Sequence, residues 1–179
     1  MMKKTNSRWV IKITVISIFI SMTFALASSK ALGSLGYVMA FVVLAVFIIL
    51  GIIFDIIGVS VTAASIKPFH SMAAHKERGA TEAIRLIRNA EKVSSICNDV
   101  VGDISGIISG TTSALIATRL VTDFSLNNLL MQLLISGLVT GATVGGKAAG
   151  KALAINNSTG IVLDVGKLIG FFSRLFGKK

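Results

Sequence analysis

The side chains of this chain that are able to do chemistry are a few oxygen-bearing residues set into apolar sequence. Asp55 interrupts one long apolar run, and Asn98, Asp99 and Asp103 open another. On a helix of about 100° per residue, Asp99 and Asp103 share a face with small residues. That face also carries Gly102, Gly106, Gly110 and Ser113, while the bulkier side chains elsewhere are Val101, Ile104, Ile108 and Leu115. Glycine lets a neighbouring helix approach closely and lipid penalises a carboxylate, so we expect both acids to point inward.

A cation site is the chemistry that these residues predict. Asp55 closes a helix that arrives at the inner side of the membrane, and Asn98, Asp99 and Asp103 open a helix that leaves it, so all four lie at a similar depth. Hard cations such as Mg²⁺ bind carboxylate, amide and water oxygens, and Mg²⁺ typically uses one or two carboxylates. Ser105 and Ser109 could add further oxygens; no cofactor besides such an ion is expected.

A purely structural interpretation of the same residues stays open. Asn98 or Asp99 could cap the helix, and the dipole at the helix N-terminus would favour Asp103. Lys147 and Lys151 are expected at the same depth, so ion pairs with them could also neutralise the acids.

Composition places the chain in the membrane. Of 179 residues, 53% are apolar and 15% charged, against about 25% charged in soluble proteins. A lone cysteine excludes an intrachain disulfide, and the sequence has no His/Cys cluster, no Gly-rich phosphate loop and no nucleophile elbow. We therefore expect an integral membrane protein that is not an enzyme.

The order of apolar and amphipathic segments predicts an all-α protein with three or four transmembrane helices in a single membrane domain. The segment 10–28 is either a first helix or a signal peptide, because a basic head precedes its apolar run. The predicted spans are then 33–66, 99–119 and 126–147. Basic amphipathic helices over 69–97 and a terminal helix over 158–177 are expected to lie on the membrane surface.

The distribution of charge predicts the topology. Only Lys30 and Arg119 of the 18 basic residues fall outside in this arrangement, which leaves 16 on the inner side. The positive-inside rule then places the C-terminus in the cytoplasm of a multi-pass cell-membrane protein. The same bias explains the basic character without nucleic acid as a partner, and the lipid bilayer is the expected partner.

Glycines four residues apart predict where helices pack. One series is Gly102, Gly106 and Gly110, and the other is Gly137, Gly141 and Gly145. Two such stripes predict a tightly packed bundle or a dimer seam, so we expect a homodimer.

Three stretches resemble the transmembrane domain of the cyclin M/CorC (CorB) magnesium and cobalt transporter family, namely 54–67, 79–89 and 146–154. The residues that match its last element are Gly146, Lys151 and Ala154, whereas Lys147 stands where the family has Glu and Gly150 where it has Pro. The resemblance implies a similar helical fold and divalent cation transport, with regulation supplied by a separate subunit.

The expected function is therefore to transport or sense a divalent cation, Mg²⁺ or Co²⁺. Two alternatives remain open. A non-transporting membrane scaffold or partner subunit would explain the departures from the family pattern, and a holin-like pore-former would explain the small size, glycine stripes and cationic ends.

Overall fold

The computed structural model describes residues 11, 13–23, 26, 36–125 and 127–176. Within these ranges the chain is all-helical and contains no strand. Some residues of the predicted segments fall outside them: 10, 12, 24, 25, 27 and 28 of segment 10–28, 33–35 of segment 33–66, residue 126, residue 177, and the basic residues Lys3, Lys4, Arg8, Lys12, Lys30, Lys178 and Lys179. Within segment 10–28 the structure describes a helix at Ile13–Thr23, and the choice between a first helix and a signal peptide stays a prediction.

From Tyr37 onward the described helices follow one another with short connections. They are α1 (Ile13–Thr23), α2 (Tyr37–Ala63), α3 (Lys67–Ala74), α4 (Ala80–Arg88), α5 (Ala90–Ser94), a π-helix (Ser95–Gly102), α6 (Asp103–Phe124), α7 (Asn128–Asn156) and α8 (Ser158–Phe176). Three helical segments are long and apolar enough to cross a membrane: Tyr37–Ala63, Ala90–Phe124 and Asn128–Asn156. By the same measure α1 is a shorter apolar helix.

The helix boundaries differ from the predicted segments in one important place. The sequence predicted amphipathic helices to residue 97 and a new span from residue 99, but α5, the π-helix and α6 form one continuous helix, Ala90–Phe124. The interpretation of Asn98 or Asp99 as a helix cap is therefore wrong, because no helix begins there and the backbone groups that a cap would satisfy are already bonded. Helix α2 ends at Ala63, and α7 continues to Asn156.

The chain divides into two compact units, each described here by itself. The first comprises Met1–Leu50 and Asp103–Thr143, hence the start of α2, all of α6 and most of α7. Its core is formed by Ala40, Leu44 and Ile116, with Ile48, Leu120, Ile135 and Val139 packed around them. The Tyr37 hydroxyl donates a hydrogen bond to the Asp123 carboxylate, which ties the first turn of α2 to the last turn of α6.

The buried side of helix α6 carries hydroxyl and aliphatic side chains, while the two glycines of this helix are exposed. The buried residues of α6 are Ile104, Ser105, Ile108, Ser109, Thr112, Ser113, Ile116 and Ala117. Gly106 and Gly110 are exposed, and a Cβ built on either would meet no atom within 4 Å. Gly106 and Gly110 therefore do not pack against the described helices of the same chain, whereas Gly102 and Ser113 of the same predicted face are buried. Hydroxyls gain more than glycines from the interior, because lipid offers them no hydrogen bonds.

The second unit comprises Gly51–Gly102 and Val144–Lys179. Its core consists of Val61, Phe69, Ala80, Ala83, Val162 and Leu163. Helices α3 and α4 are separated at Gly79, whose φ of +84° is a left-handed conformation that glycine adopts without steric cost. Helices α4 and α8 then cross with their backbones in contact, since a Cβ at Gly166 would lie 2.4 Å from the Gly79 carbonyl oxygen.

A second close approach in this unit joins the end of α2 to the end of α7. A Cβ at Gly146 would lie 2.3 Å from Cδ1 of Ile52, and one at Gly150 would lie 2.8 Å from Cγ1 of Ile56. One turn further, the Ser60 hydroxyl donates to the Ala154 carbonyl at 3.3 Å. The small residues of the 146–154 element thus pack against α2. Lys151, the remaining family-matching residue, is exposed.

Candidate functional site

Asp55 is the described acid whose environment is least expected for a carboxylate. It lies within the apolar helix α2, is 6% exposed, and its Oδ2 is buried without a hydrogen-bond partner. Gly51 and Gly58 stand one turn before and after it and are buried as well. A buried charge that lacks a partner is costly, so this side chain requires a ligand, a proton or a water that the described residues do not supply.

Asn98 lies against α2 one turn beyond Asp55. A Cβ at Gly58 would lie only 2.0 Å from Asn98 Oδ1, so the amide occupies the space that glycine leaves open. The Asn98 Nδ2 donates to Ser94 Oγ at 3.2 Å, which directs the amide oxygen away from that bond. This Oδ1 is also buried without a partner. Since Gly58 follows Asp55 by three residues, the two positions share a face of α2, separated by about 4.5 Å along its axis.

The π-helix positions Asn98 in this arrangement. Its eight residues, Ser95–Gly102, form i to i+5 hydrogen bonds, a rare geometry that often marks functional sites. The wider turn also changes the rotation of Asp99 and Asp103 relative to a regular α-helix. Near the end of the π-helix, Lys147 Nζ and the Cys97 carbonyl each lie 3.5 Å from where a Cβ of Gly102 would be.

The site therefore offers two buried acceptor oxygens and no donor to satisfy them. The described residues contain no group of three His, Cys, Asp or Glu side chains placed to hold a metal, so a complete protein cage is not what the structure shows. One carboxylate and one amide oxygen do fit the partial protein ligation of Mg²⁺, which keeps several of its waters. The arrangement suits a partly hydrated cation better than a tightly caged one.

The other two predicted cation ligands lie elsewhere. Asp99 is exposed, and one of its carboxylate oxygens accepts a hydrogen bond from Ser95 Oγ at 2.8 Å. Asp103 is exposed at the start of α6 and belongs to the first unit. The structure thus brings Asp55 and Asn98 together within one unit. The sequence signal for this arrangement is Gly58, the glycine three residues after Asp55, which leaves room for Asn98.

The first unit contains a polar crevice of its own. It has a volume of about 160 Å³ between α6 and α7, and its polar lining is Ser113, Gln132, Ser136 and Thr140. Most of these hydroxyls bond to carbonyls of their own helix, as Ser136 does to Gln132 and Ser113 to Gly110. Thr112 Oγ1, also in this unit, is buried without a partner. The crevice has no ionisable lining residue, so it offers less chemistry than the Asp55 site.

Comparisons with known proteins found no match to this chain. No family model matches the chain, and neither a curated protein nor a solved structure gives a significant match. The resemblance of 146–154 to the cyclin M/CorC (CorB) family therefore stays a prediction made from the residues.

Proposed function

We propose that the chain is a multi-pass membrane protein that binds a divalent cation, Mg²⁺ or Co²⁺, at Asp55 and Asn98 and transports or senses it. The observation that carries the proposal is the buried Asp55 carboxylate with an unpaired oxygen, inside a helix long and apolar enough to span a membrane. Ionisable residues in such helices are expensive to bury and usually mark ion pathways or binding sites.

Several other features support the same proposal. The exposed glycines Gly137, Gly141 and Gly145 on α7 leave a face on which a second copy of the chain would pack as a homodimer. The basic amphipathic helices α4 and α8 suit a cytoplasmic membrane surface, with the C-terminus on the same side. The CorB-like 146–154 element agrees with this arrangement, and regulation by a separate subunit belongs to the proposal as well.

The test is Mg²⁺-dependent stability of the purified protein in detergent. A ligand that binds only the folded form at about 100 times its Kd adds about 2.7 kcal/mol, which for a chain of this size raises Tm by roughly 5 to 10 °C. We expect this rise in the native protein between EDTA and saturating Mg²⁺, and we expect Asp55→Asn to abolish it. In EDTA the variant should melt at the same temperature or higher, because it no longer buries an unpaired carboxylate.

Asp164→Asn is the matched control. It removes an acid of the same type from an exposed position, where the carboxylate forms an ion pair with the Lys167 ammonium at 3.0 Å. Exposed ion pairs contribute little, so this variant should keep the full response to Mg²⁺. A native protein whose melting is indifferent to Mg²⁺ and Co²⁺, or an Asp55→Asn variant that responds like the native protein, would refute the cation site.

Flux through liposomes then separates transport from its alternatives. Selective Mg²⁺ uptake that is lost in Asp55→Asn supports a transporter. Leakage of a fluorescent dye indicates a holin-like pore instead, and the absence of both indicates a scaffold or a sensing subunit.

A further inference from the structure

A pocket of about 380 Å³ lies beside the crossing of α4 and α8, in the second unit. Its side-chain walls are basic, acidic and apolar: Arg78, Lys167, Arg174, Glu82, Leu168 and Phe171. This volume falls within the roughly 300 to 1,000 Å³ that is typical of small-molecule sites. The mixture of positive charge and apolar surface indicates an amphipathic anion.

The walls of this pocket are held in place by backbone contacts. The carbonyl of Gly79 and the main chain of Gly166 are too close for any side chain between them, and a Cβ at Gly79 would lie 2.5 Å from the Lys167 nitrogen. Behind the crossing, Ala83 and Val162 are buried in the core. Arg78, two residues before α4, and Lys167 and Arg174 on α8 are therefore presented by a rigid junction, which lowers the entropy cost of binding.

Two of the three basic side chains are available to an anion. Arg78 and Arg174 are exposed, and neither forms an ion pair with any residue that the structure describes. Lys167 already contacts Asp164 at 3.0 Å. The acid in the pocket, Glu82, also borders a neighbouring hollow that Arg85 lines, so a further cation stands near it. One guanidinium group can donate two parallel hydrogen bonds to two oxygens of a phosphate, so phosphate is the anion that fits these arginines best.

The apolar side chains of the pocket indicate which kind of molecule bears the phosphate. Leu168 is 59% and Phe171 60% exposed, and on the same helix Phe172 and Leu175 are exposed too. A helix with such a face lies in the membrane interface, where lipid headgroups and the first carbons of acyl chains are found together. Basic pockets at this depth bind anionic headgroups.

We propose that this pocket binds the headgroup of one anionic phospholipid. Arg78 and Arg174 hold the phosphate, and Leu168 and Phe171 lie against its glycerol and acyl carbons. The proposal requires only that the chain resides in a membrane, so it stands or falls independently of the cation site.

The experiment is titration of the purified full chain, in non-ionic detergent, with phosphatidylglycerol, read as the rise in Tm. Phosphatidylcholine with the same acyl chains and soluble glycerol 3-phosphate are titrated in parallel. We expect phosphatidylglycerol alone to raise Tm at low concentration. Because a charge-assisted hydrogen bond is lost, Arg78→Gln and Arg174→Gln should each weaken the apparent affinity about tenfold. Arg174→Lys, which keeps the charge, should weaken it less.

Arg88→Gln is the matched control, since Arg88 is also exposed on α4 and does not line the pocket. It should bind phosphatidylglycerol like the native chain. Equal weakening by Arg88→Gln and Arg174→Gln would overturn the pocket in favour of a diffuse surface charge. An equal response to phosphatidylcholine would overturn the need for an anion. An equal response to glycerol 3-phosphate would identify a soluble phosphate as the ligand and overturn the lipid.

Discussion

Replacing Gly166 by alanine tests the packing of the second unit most directly. The added Cβ would lie 2.4 Å from the Gly79 carbonyl oxygen and 3.1 Å from the Ala83 nitrogen. Ordinary contact begins at 3.4 Å, so the oxygen is about 1 Å too close. Both neighbours are backbone atoms, which cannot rotate away as a side chain would. Helices α4 and α8 must therefore separate.

The cost follows from what the separation disturbs. Ala80, Ala83, Val162 and Leu163 are buried at this junction, and they lose contact when the helices move apart. Overpacking of this kind costs about 2 kcal/mol, and for a chain of this length that lowers Tm by about 4 to 8 °C. Thermal unfolding in detergent, followed by circular dichroism, measures the change.

Gly160→Ala is the control on the same helix. A Cβ at Gly160 would have no described atom within 4 Å, so the substitution adds no clash. Alanine is favoured over glycine in a helix by about 1 kcal/mol, and Tm should rise by about 2 to 4 °C. The two substitutions are therefore expected to act with opposite signs. Equal tolerance of both would show that α4 and α8 do not make this backbone contact.

Three further predictions concern topology and helix packing. In a Cys97→Ser background, a cysteine at Thr81 should be shielded from a membrane-impermeant thiol reagent in intact cells and one at Asn127 should react; the reverse labelling would overturn the orientation drawn from the basic residues. Gly150→Leu should lower Tm by several degrees because Ile56 already fills the space beside it. Gly141→Leu should leave the fold of the monomer intact and weaken dimer formation, as measured by crosslinking. An unchanged dimer would show that this face of α7 does not form the dimer interface.

The candidate site shows how far sequence patterns reach. Asp55 stands out because it is an acid in an apolar run. A helical wheel places Gly106, Gly110 and Ser113 on one face of α6, but it does not tell which residues turn toward a neighbouring helix, and in the structure Ser113 is buried while the two glycines are exposed. Asp99 and Asp103 were expected inside and are exposed.

The glycines also show that spacing in the sequence does not reveal which of them contact another helix. Spacing alone treats Gly102, Gly106 and Gly141 as equivalent, yet of these three a Cβ would meet a neighbouring side chain only at Gly102, where that neighbour is Lys147. That a residue is small can be read directly from the sequence. Finding what lies opposite it requires the position of another helix.

What the sequence by itself determined is the class of the protein: helices throughout, long uncharged runs, basic amphipathic segments and an acid inside an apolar helix. These are local properties, because hydropathy, charge and helical period are written in consecutive residues. Only the tertiary structure decided that Asn98 packs into the space left by Gly58, one turn from Asp55, and that α4 crosses α8 at Gly79 and Gly166. Such pairs are separated by tens of residues, and close packing, not periodicity, selects which of them touch.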